Sequence, residues 1–327
     1  MKQLTVASLY GGVGGGMLGF VQAGFKPLWL FDDRDFVSEE TVTQSWFEFG
    51  YNVKFYSSLV HPVNPALYRP LPGVDVIVGS PPCKRFSRLA MRDKERLNFE
   101  PQDLEYVKFL IQVKELIPTV WVLEMIPAIE KHFKFENNAE RDCAVLVDQT
   151  DDSAVVTLFG YRVMSVVLNS ADFGVPQTRK RLYSIGISSH IQGELSFKGP
   201  VKKGGHKTVA EAFDFLKDVA NMELPNHSAN RIVGFAALEP GASYYGTANN
   251  KRPYLHRPAP TVTSHRTQMV HPIEPRTLSV RENLRLMGYP DEFVLYGPRT
   301  KQLDCAGCSI TPPVTEFLAR QIAVLLS

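Results

Sequence analysis

The stretch QLTVASLYGGVGGGMLGF, Gln3 to Phe20, decides how the rest of the chain is read. Its first half is a short continuous apolar run, the pattern of a strand buried on both faces. Its second half begins a helix predicted from about Gly16 to Ala23. Between them stand Gly11, Gly12, Gly14, Gly15 and Gly16. A strand, a glycine turn and a helix in that order bring unpaired helix N–H groups to a strand end, where a bare backbone lets a ligand approach. A plain tight turn would use glycine too, so the loop gains meaning only from its neighbours.

The next run, PLWLF, is a second strand that closes at Asp32, Asp33 and Asp35. Asp32 or Asp33 is placed to hold ribose hydroxyls, and with the glycine turn this points to a nucleoside cofactor. VDVIVG (74–79) and TVWVLE (119–124) are two more buried strands, the second preceded by the amphipathic LEYVKFLIQVKELI. Such alternation predicts a doubly wound α/β fold with a mostly parallel sheet, whose ligands sit at the carboxyl ends of the strands. From about His190 to Pro258 the chain is richer in Gly, Asn, Pro and His, with one helix predicted around Thr208 to Val219. Helical pattern returns in TLSVRENLRLMG, with Thr277 or Ser279 as cap and Gly288 as stop, and in PPVTEFLARQIAVLL. The expected organisation is a catalytic domain over 1–188, completed by a C-terminal helix at 302–327, and a small recognition domain over 189–301.

Composition sets bounds. Across 327 residues, 44% are hydrophobic and 21% charged, ordinary values for a globular protein. A net charge of +2 leaves any nucleic-acid binding to a local basic patch. Four cysteines make no disulfide framework and point to a reducing compartment. The glycines break the apolar N-terminal run as a signal-peptide core, and no run reaches the roughly 18 residues that span a bilayer. The expectation is a cytoplasmic protein with no membrane partner.

Three strand ends carry reactive groups. Cys83, in VDVIVGSPPCKRFSR, follows two prolines and is flanked by Lys84, Arg85 and Arg88. Positive neighbours stabilise a thiolate, which makes Cys83 a candidate nucleophile rather than a buried structural thiol. Glu124 ends an apolar strand, where desolvation would raise a carboxyl pKa toward a proton-donating role. In ADFGVPQTRKRLYSIG, Arg179 and Arg181 fall on one face of a strand and could bind a phosphate, a carboxylate or a base edge. Cys305 and Cys308 form a lone CxxC with no second pair, which is expected to be structural, and no metal site is predicted.

Taken in order, these pieces resemble the cytosine-C5 DNA methyltransferases across nearly the whole chain outside about 190–255. GSPPCKRFS is similar to that family's Pro-Cys loop, LEMIP to its Glu-Asn-Val motif, and NSADFGVPQTRKRLYSIG to its Gln-x-Arg-x-Arg strand. PRTLSVRENLRLMGYPDEF and AGCSITPPVTEFLARQIA resemble its last two motifs. The resemblance implies methyl transfer from S-adenosyl-L-methionine to C5 of cytosine in double-stranded DNA, through a covalent Cys83–C6 adduct on a flipped base. It makes Cys83, Glu124, Arg179 and Arg181 catalytic, with Arg181 at the base O2 and Arg179 orienting the loop or a phosphate. Tyr10, Gly12, Gly14, Gly15, Asp32, Asp33, Pro82 and Ser309 become cofactor-binding; Phe86, Ser87, Arg88 and Gln177 become substrate-binding. The implied state is a monomer in a bacterial or phage-infected cell, nucleoid-associated and with a cognate restriction enzyme as a candidate partner. Departures cluster on the cofactor side. Ser8 stands where the family has aspartate, Tyr10 where it has phenylalanine, Met125 replaces the Glu-Asn-Val asparagine, and Cys308 replaces an asparagine. Ser8 and Cys308 are expected near the amino-acid end of the cofactor. Two alternatives stay open: an enzyme with the same core acting on transfer RNA, and an idle DNA-binding homologue.

Overall fold

The computed structural model describes residues 2–57, 73–82, 104–197, 199, 205–216, 218–244, 250–263 and 268–327. Five parallel strands run inward from one edge of a sheet: β1 (Thr5–Leu9), β2 (Lys26–Phe31), β3 (Lys54–Tyr56), β4 (Val76–Gly79) and β5 (Val120–Met125). After β5 the chain makes a separate antiparallel sheet of β6 (Phe133–Asn138), β7 (Cys143–Asp148) and β8 (Ala154–Phe159). It then returns as an antiparallel pair, β9 (Tyr161–Asn169) and β10 (Lys180–Ser188), which extends the first sheet. The resulting order is β3-β2-β1-β4-β5-β10-β9. Strand order reverses at β1, so the crevice beyond the carboxyl ends of β1 and β4 is the expected ligand position. This is the doubly wound α/β class read from the sequence.

The central strands are buried on both faces because alternate residues meet different layers. Val6, Val76, Val78, Val120 and Val122 pack with helices α1 (Gly15–Gln22) and α2 (Glu39–Glu48) and the C-terminal helices. Ala7, Ile77, Trp121 and Leu123 pack with α3 (Glu105–Leu116) and the β6–β8 sheet. That second layer was not expected. Phe133, Leu146 and Leu158 point inward from it, and Phe133 and Phe135 meet Tyr106 of α3.

The segment over 189–301 corrects the sequence reading at two points. The helix predicted over Thr208–Val219 closes after one turn, α4 (Val209–Ala212), which Thr208 and Glu211 cap reciprocally. Positive φ at Phe215 and Asp218 ends any continuation. A second short helix, α5 (Ala229–Ala236), lies largely exposed. For α6 (Val280–Leu286), Ser279 rather than Thr277 is the cap, accepting from Glu282 N while the Glu282 carboxylate accepts from Ser279 N. Gly288 stops it at φ +79°. After α7 (Arg299–Gly307) comes α8 (Pro312–Leu325), which begins on proline as expected. The start of α8 lies hard against α1. A Cβ on Gly15 would stand 2.0 Å from Ser309 Oγ and 2.6 Å from the Ile310 carbonyl oxygen, so close approach demands glycine there. No helix among the described residues is long and apolar enough to cross a membrane.

Candidate active site

Strand register brings three side chains together at the carboxyl edge. Gly79 pairs with Leu123 and Glu124 with Tyr183, so Ser80 and Arg181 flank Glu124 from its two neighbouring strands. Glu124 is only 3% exposed. Ser80 Oγ donates to its Oε2 at 2.6 Å, and Arg181 Nε stands 3.0 Å from its Oε1, off the axis of a hydrogen bond. The carboxylate is held at both oxygens from opposite sides. Ser80 carries no sequence signal of its own, because its partner lies 44 residues away and only sheet register pairs them.

Arg179 and Gln177 turn inward and do other work. The Arg179 guanidinium donates to the carbonyls of Val262 (3.2 Å), Gly307 (3.5 Å) and Ser309 (3.0 Å), tying two distant segments to the head of β10. Burial, then the neighbouring Arg181, pushes its pKa down to about 10. Gln177 is buried, giving its amide N–H to the Leu286 carbonyl and accepting from Val262 N. Gln177 and Arg179 are thus both held by backbone groups, as a loop-orienting Arg179 would be, and Arg179 Nε has no partner among the described residues.

On the cofactor side the two candidate aspartates separate. Asp32 is 0% exposed and accepts from Gly12 N (2.6 Å), Arg34 N (3.0 Å) and the Arg34 guanidinium. Arg34 reaches on to the Tyr10 carbonyl at 3.1 Å, so the pair shapes the glycine turn from below. No acceptor position of Asp32 is left for a ribose. Asp33 is exposed, its carboxyl held above the usual range by partial burial, then by Glu105 and Asp32. Glu105, at the start of α3, accepts from the Tyr10 hydroxyl at 2.9 Å, so Tyr10 is packed through its tip as well as its ring.

The glycines divide in the same way. Space for a Cβ on Gly14 or Gly15 is taken by Trp46 and by Ser309 with Tyr289, so these two serve packing. Of the three, a Cβ on Gly12 (φ +60°) would meet, among the described residues, only Arg34 Nη2, at an ordinary 3.6 Å. Ser309 is 2% exposed, with its hydroxyl on Tyr289 Oη (2.5 Å) and the Ile310 carbonyl (3.0 Å). Ser8, expected near the cofactor, is buried and donates to the Val78 carbonyl at 3.0 Å. Arg34→Gln is expected to cost about 3 kcal/mol of stability, because it leaves a buried carboxylate without its counter-charge. Urea unfolding checks this; an unchanged midpoint would show that Arg34 is no clamp.

The family model for C-5 cytosine-specific DNA methylase matches residues 4–324. The chain belongs to that family. Among curated relatives of this methylase, the type II methyltransferase M1.HphI of Haemophilus parahaemolyticus is 26% identical, over 98% of this chain and 86% of its own. M.DdeI of Desulfomicrobium norvegicum is 25% identical, over 98% and 88%. The fold is shared with a prophage-encoded E. coli protein assigned as a DNA modification methyltransferase, at TM-score 0.73, 20% identity and 99% coverage of both chains.

In this C-5 cytosine-specific methylase, Cys83, Phe86, Ser87 and Arg88 lie outside the described residues. Pro82, half-buried, is the last described residue before them. The methylase's CxxC sits at the end of α7. Cys305 is buried, and burial pushes its thiol up to about 12. Cys308 is the residue that closes the helix.

Proposed function

We propose that this methylase carries a methyl group from S-adenosylmethionine to C5 of cytosine in double-stranded DNA, with Cys83 as the attacking thiolate and Glu124 and Arg181 handling the base. The observation that carries this reading is the Ser80–Glu124–Arg181 cluster at the carboxyl edge, three residues before Cys83 in the chain. Bisulfite sequencing of DNA from cells expressing the protein tests it, and the target sequence emerges from the same data. The same product analysis on transfer RNA separates the RNA alternative.

C5 of cytosine is a weak nucleophile. Bond formation between the Cys83 thiolate and C6 breaks the C5–C6 double bond and leaves an enamine whose C5 can attack an electrophilic methyl carbon. S-adenosylmethionine, when bound, would supply that methyl by loss of its sulfonium S–CH3 bond, leaving S-adenosylhomocysteine. Glu124 faces N3, where electron density builds during the attack, and the Arg181 guanidinium offsets negative charge at O2. Loss of the C5 proton then drives out the Cys83 thiolate and restores the ring. A base inside a duplex cannot reach such an edge, so the cytosine must be flipped out.

The cofactor fits the residues present. Gly12 leaves an open cradle, and Asp33 and Glu105 offer carboxylates beside it. Asp33, rather than Asp32, takes the ribose hydroxyls in this reading. Asp33→Asn should therefore weaken S-adenosylmethionine binding by roughly 10- to 100-fold, the range for a lost hydrogen bond to a charged group. Calorimetry on the free enzyme reads it, and unchanged affinity would return the ribose to another acceptor. Because the Asp33 carboxyl is held high, affinity should also fall as pH drops through that raised pKa.

Ser80 acts through Glu124, as a positioning residue. Met125 cannot hydrogen-bond the carboxylate, and the Ser80 hydroxyl supplies that support. Ser80→Ala is expected to lower kcat by roughly 10- to 100-fold with KM for DNA unchanged. Ser80→Thr, which keeps the hydroxyl, should restore kcat. A wild-type kcat in Ser80→Ala would dismiss the role.

A further inference from the structure

Beside the active edge lies a cleft of about 210 Å³ between the approach to β10 and the loop at 251–260. We propose that it holds a backbone phosphate of the DNA strand carrying the target base; this rests on the reading of the protein as a DNA methylase. Lys251 and Arg257 contribute two cations to its described lining, with Thr178, Tyr254 and three prolines, and no carboxylate.

Among the described residues the charge at this cleft is unspent. Three arginines elsewhere in the segment are consumed by structure. Arg252 donates to the Phe235 and Pro272 carbonyls, Arg276 is paired with Glu282 and Glu274, and Arg285 with Asp291. Among the described residues, neither Lys251 nor Arg257 has an ion-pair partner. Their mount is nonetheless rigid. The Arg257 and Leu255 carbonyls accept from Val209 N (3.0 Å) and Ala210 N (2.9 Å) at the capped start of α4, and the Lys251 carbonyl accepts from Val270 N (3.1 Å). The Arg257 guanidinium lies 4.7 Å from the centre of the Tyr254 ring. That ring is itself seated on Gly241, where a Cβ would come within 2.5 Å of the tyrosine oxygen. Two fixed cations without counter-charge make an anion site, and donors set among proline walls suit a phosphate better than the mixed donor and acceptor edge of a base.

The cleft is also wired to the chemistry. Thr178 N donates to the Ala259 carbonyl at 2.8 Å, and Thr261 Oγ1 donates to the Thr178 carbonyl at 3.0 Å. Thr178 precedes Arg181 by three residues, roughly 10 Å of extended chain. One strand of duplex carries a phosphate per ~3.4 Å of axis, so the occupant lies within about three nucleotides of a base at Glu124. Phosphate contacts set register and carry no sequence information. This one therefore locks the target strand in step with the strand that carries Arg181.

The full-length protein tests this. Kd for a target duplex and for an unrelated duplex is measured across a potassium chloride series for wild type, Lys251→Gln and Arg257→Gln. Each substitution should reduce the slope of log K against log salt by about 1 and weaken both duplexes alike. Wild-type binding should also fall when a neutral methylphosphonate replaces one phosphate within three positions of the target cytosine, and Arg257→Gln should be indifferent at that position. Unchanged slopes would overturn the proposal, as would affinity lost on the target duplex alone, since that marks a base reader. The methylphosphonate scan on wild type stands by itself should a variant fold poorly: no sensitive position means no phosphate in the cleft. Methylation of the same duplex by wild type, run alongside, decides the enzyme reading separately, whatever the slopes show.

Discussion

Cys83→Ser forms no methylated cytosine above background while its fold and DNA affinity stay close to wild type. The exchange swaps one atom, but a serine hydroxyl is almost wholly protonated near neutral pH and adds poorly to C6. Lys84, Arg85 and Arg88 surround Cys83 in the sequence with the positive charge that favours a thiolate and does little for so weak an acid as serine. Duplex carrying 5-fluorocytosine gives a direct reading. After addition and methyl transfer, fluorine cannot leave C5 as a proton does, so the C6–S bond persists and wild type runs as a denaturation-resistant complex with DNA. An adduct formed by Cys83→Ser, or none formed by active wild type, would remove Cys83 from its role.

Glu124→Gln is expected to slow single-turnover methylation by ~10² to 10⁴, the usual loss when a positioned acid is removed. The amide keeps the shape and can still accept from Ser80, so the neighbourhood at 2.6 Å is disturbed little. What disappears is a carboxyl group 3.0 Å from Arg181 that, once protonated, can give a proton to N3. DNA affinity should change far less than rate, because flipping and phosphate contacts do not use Glu124. Equal single-turnover rates would make Glu124 a structural anchor for Arg181 instead.

Glu124 and the loop that begins at Ser80 were legible in the chain because each follows an apolar run. A parallel sheet gathers such ends at one edge, and β4 and β5 prove to be neighbours there. The small sheet of β6, β7 and β8 was not read from the sequence, since a sheet and a helix would cover α3 and Trp121 equally well.

Adjacent residues of like chemistry were another matter. Sequence alone admitted Asp32 and Asp33 as equals, and Arg179 and Arg181 as a pair. Tertiary structure separated them: Asp32 went under the glycine turn with Arg34, and Arg179 went to the carbonyls of Val262, Gly307 and Ser309. Those partners are backbone groups 83 to 130 residues away from Arg179. A carbonyl is the same in every residue and leaves no mark in a sequence, while leaving one buried and unpaired costs as much as a lost hydrogen bond. The chain by itself therefore determined the fold class and the strand ends that carry Cys83, Glu124 and Arg181. Which side chains remain free for chemistry was decided only when packing showed which backbone groups had to be satisfied first.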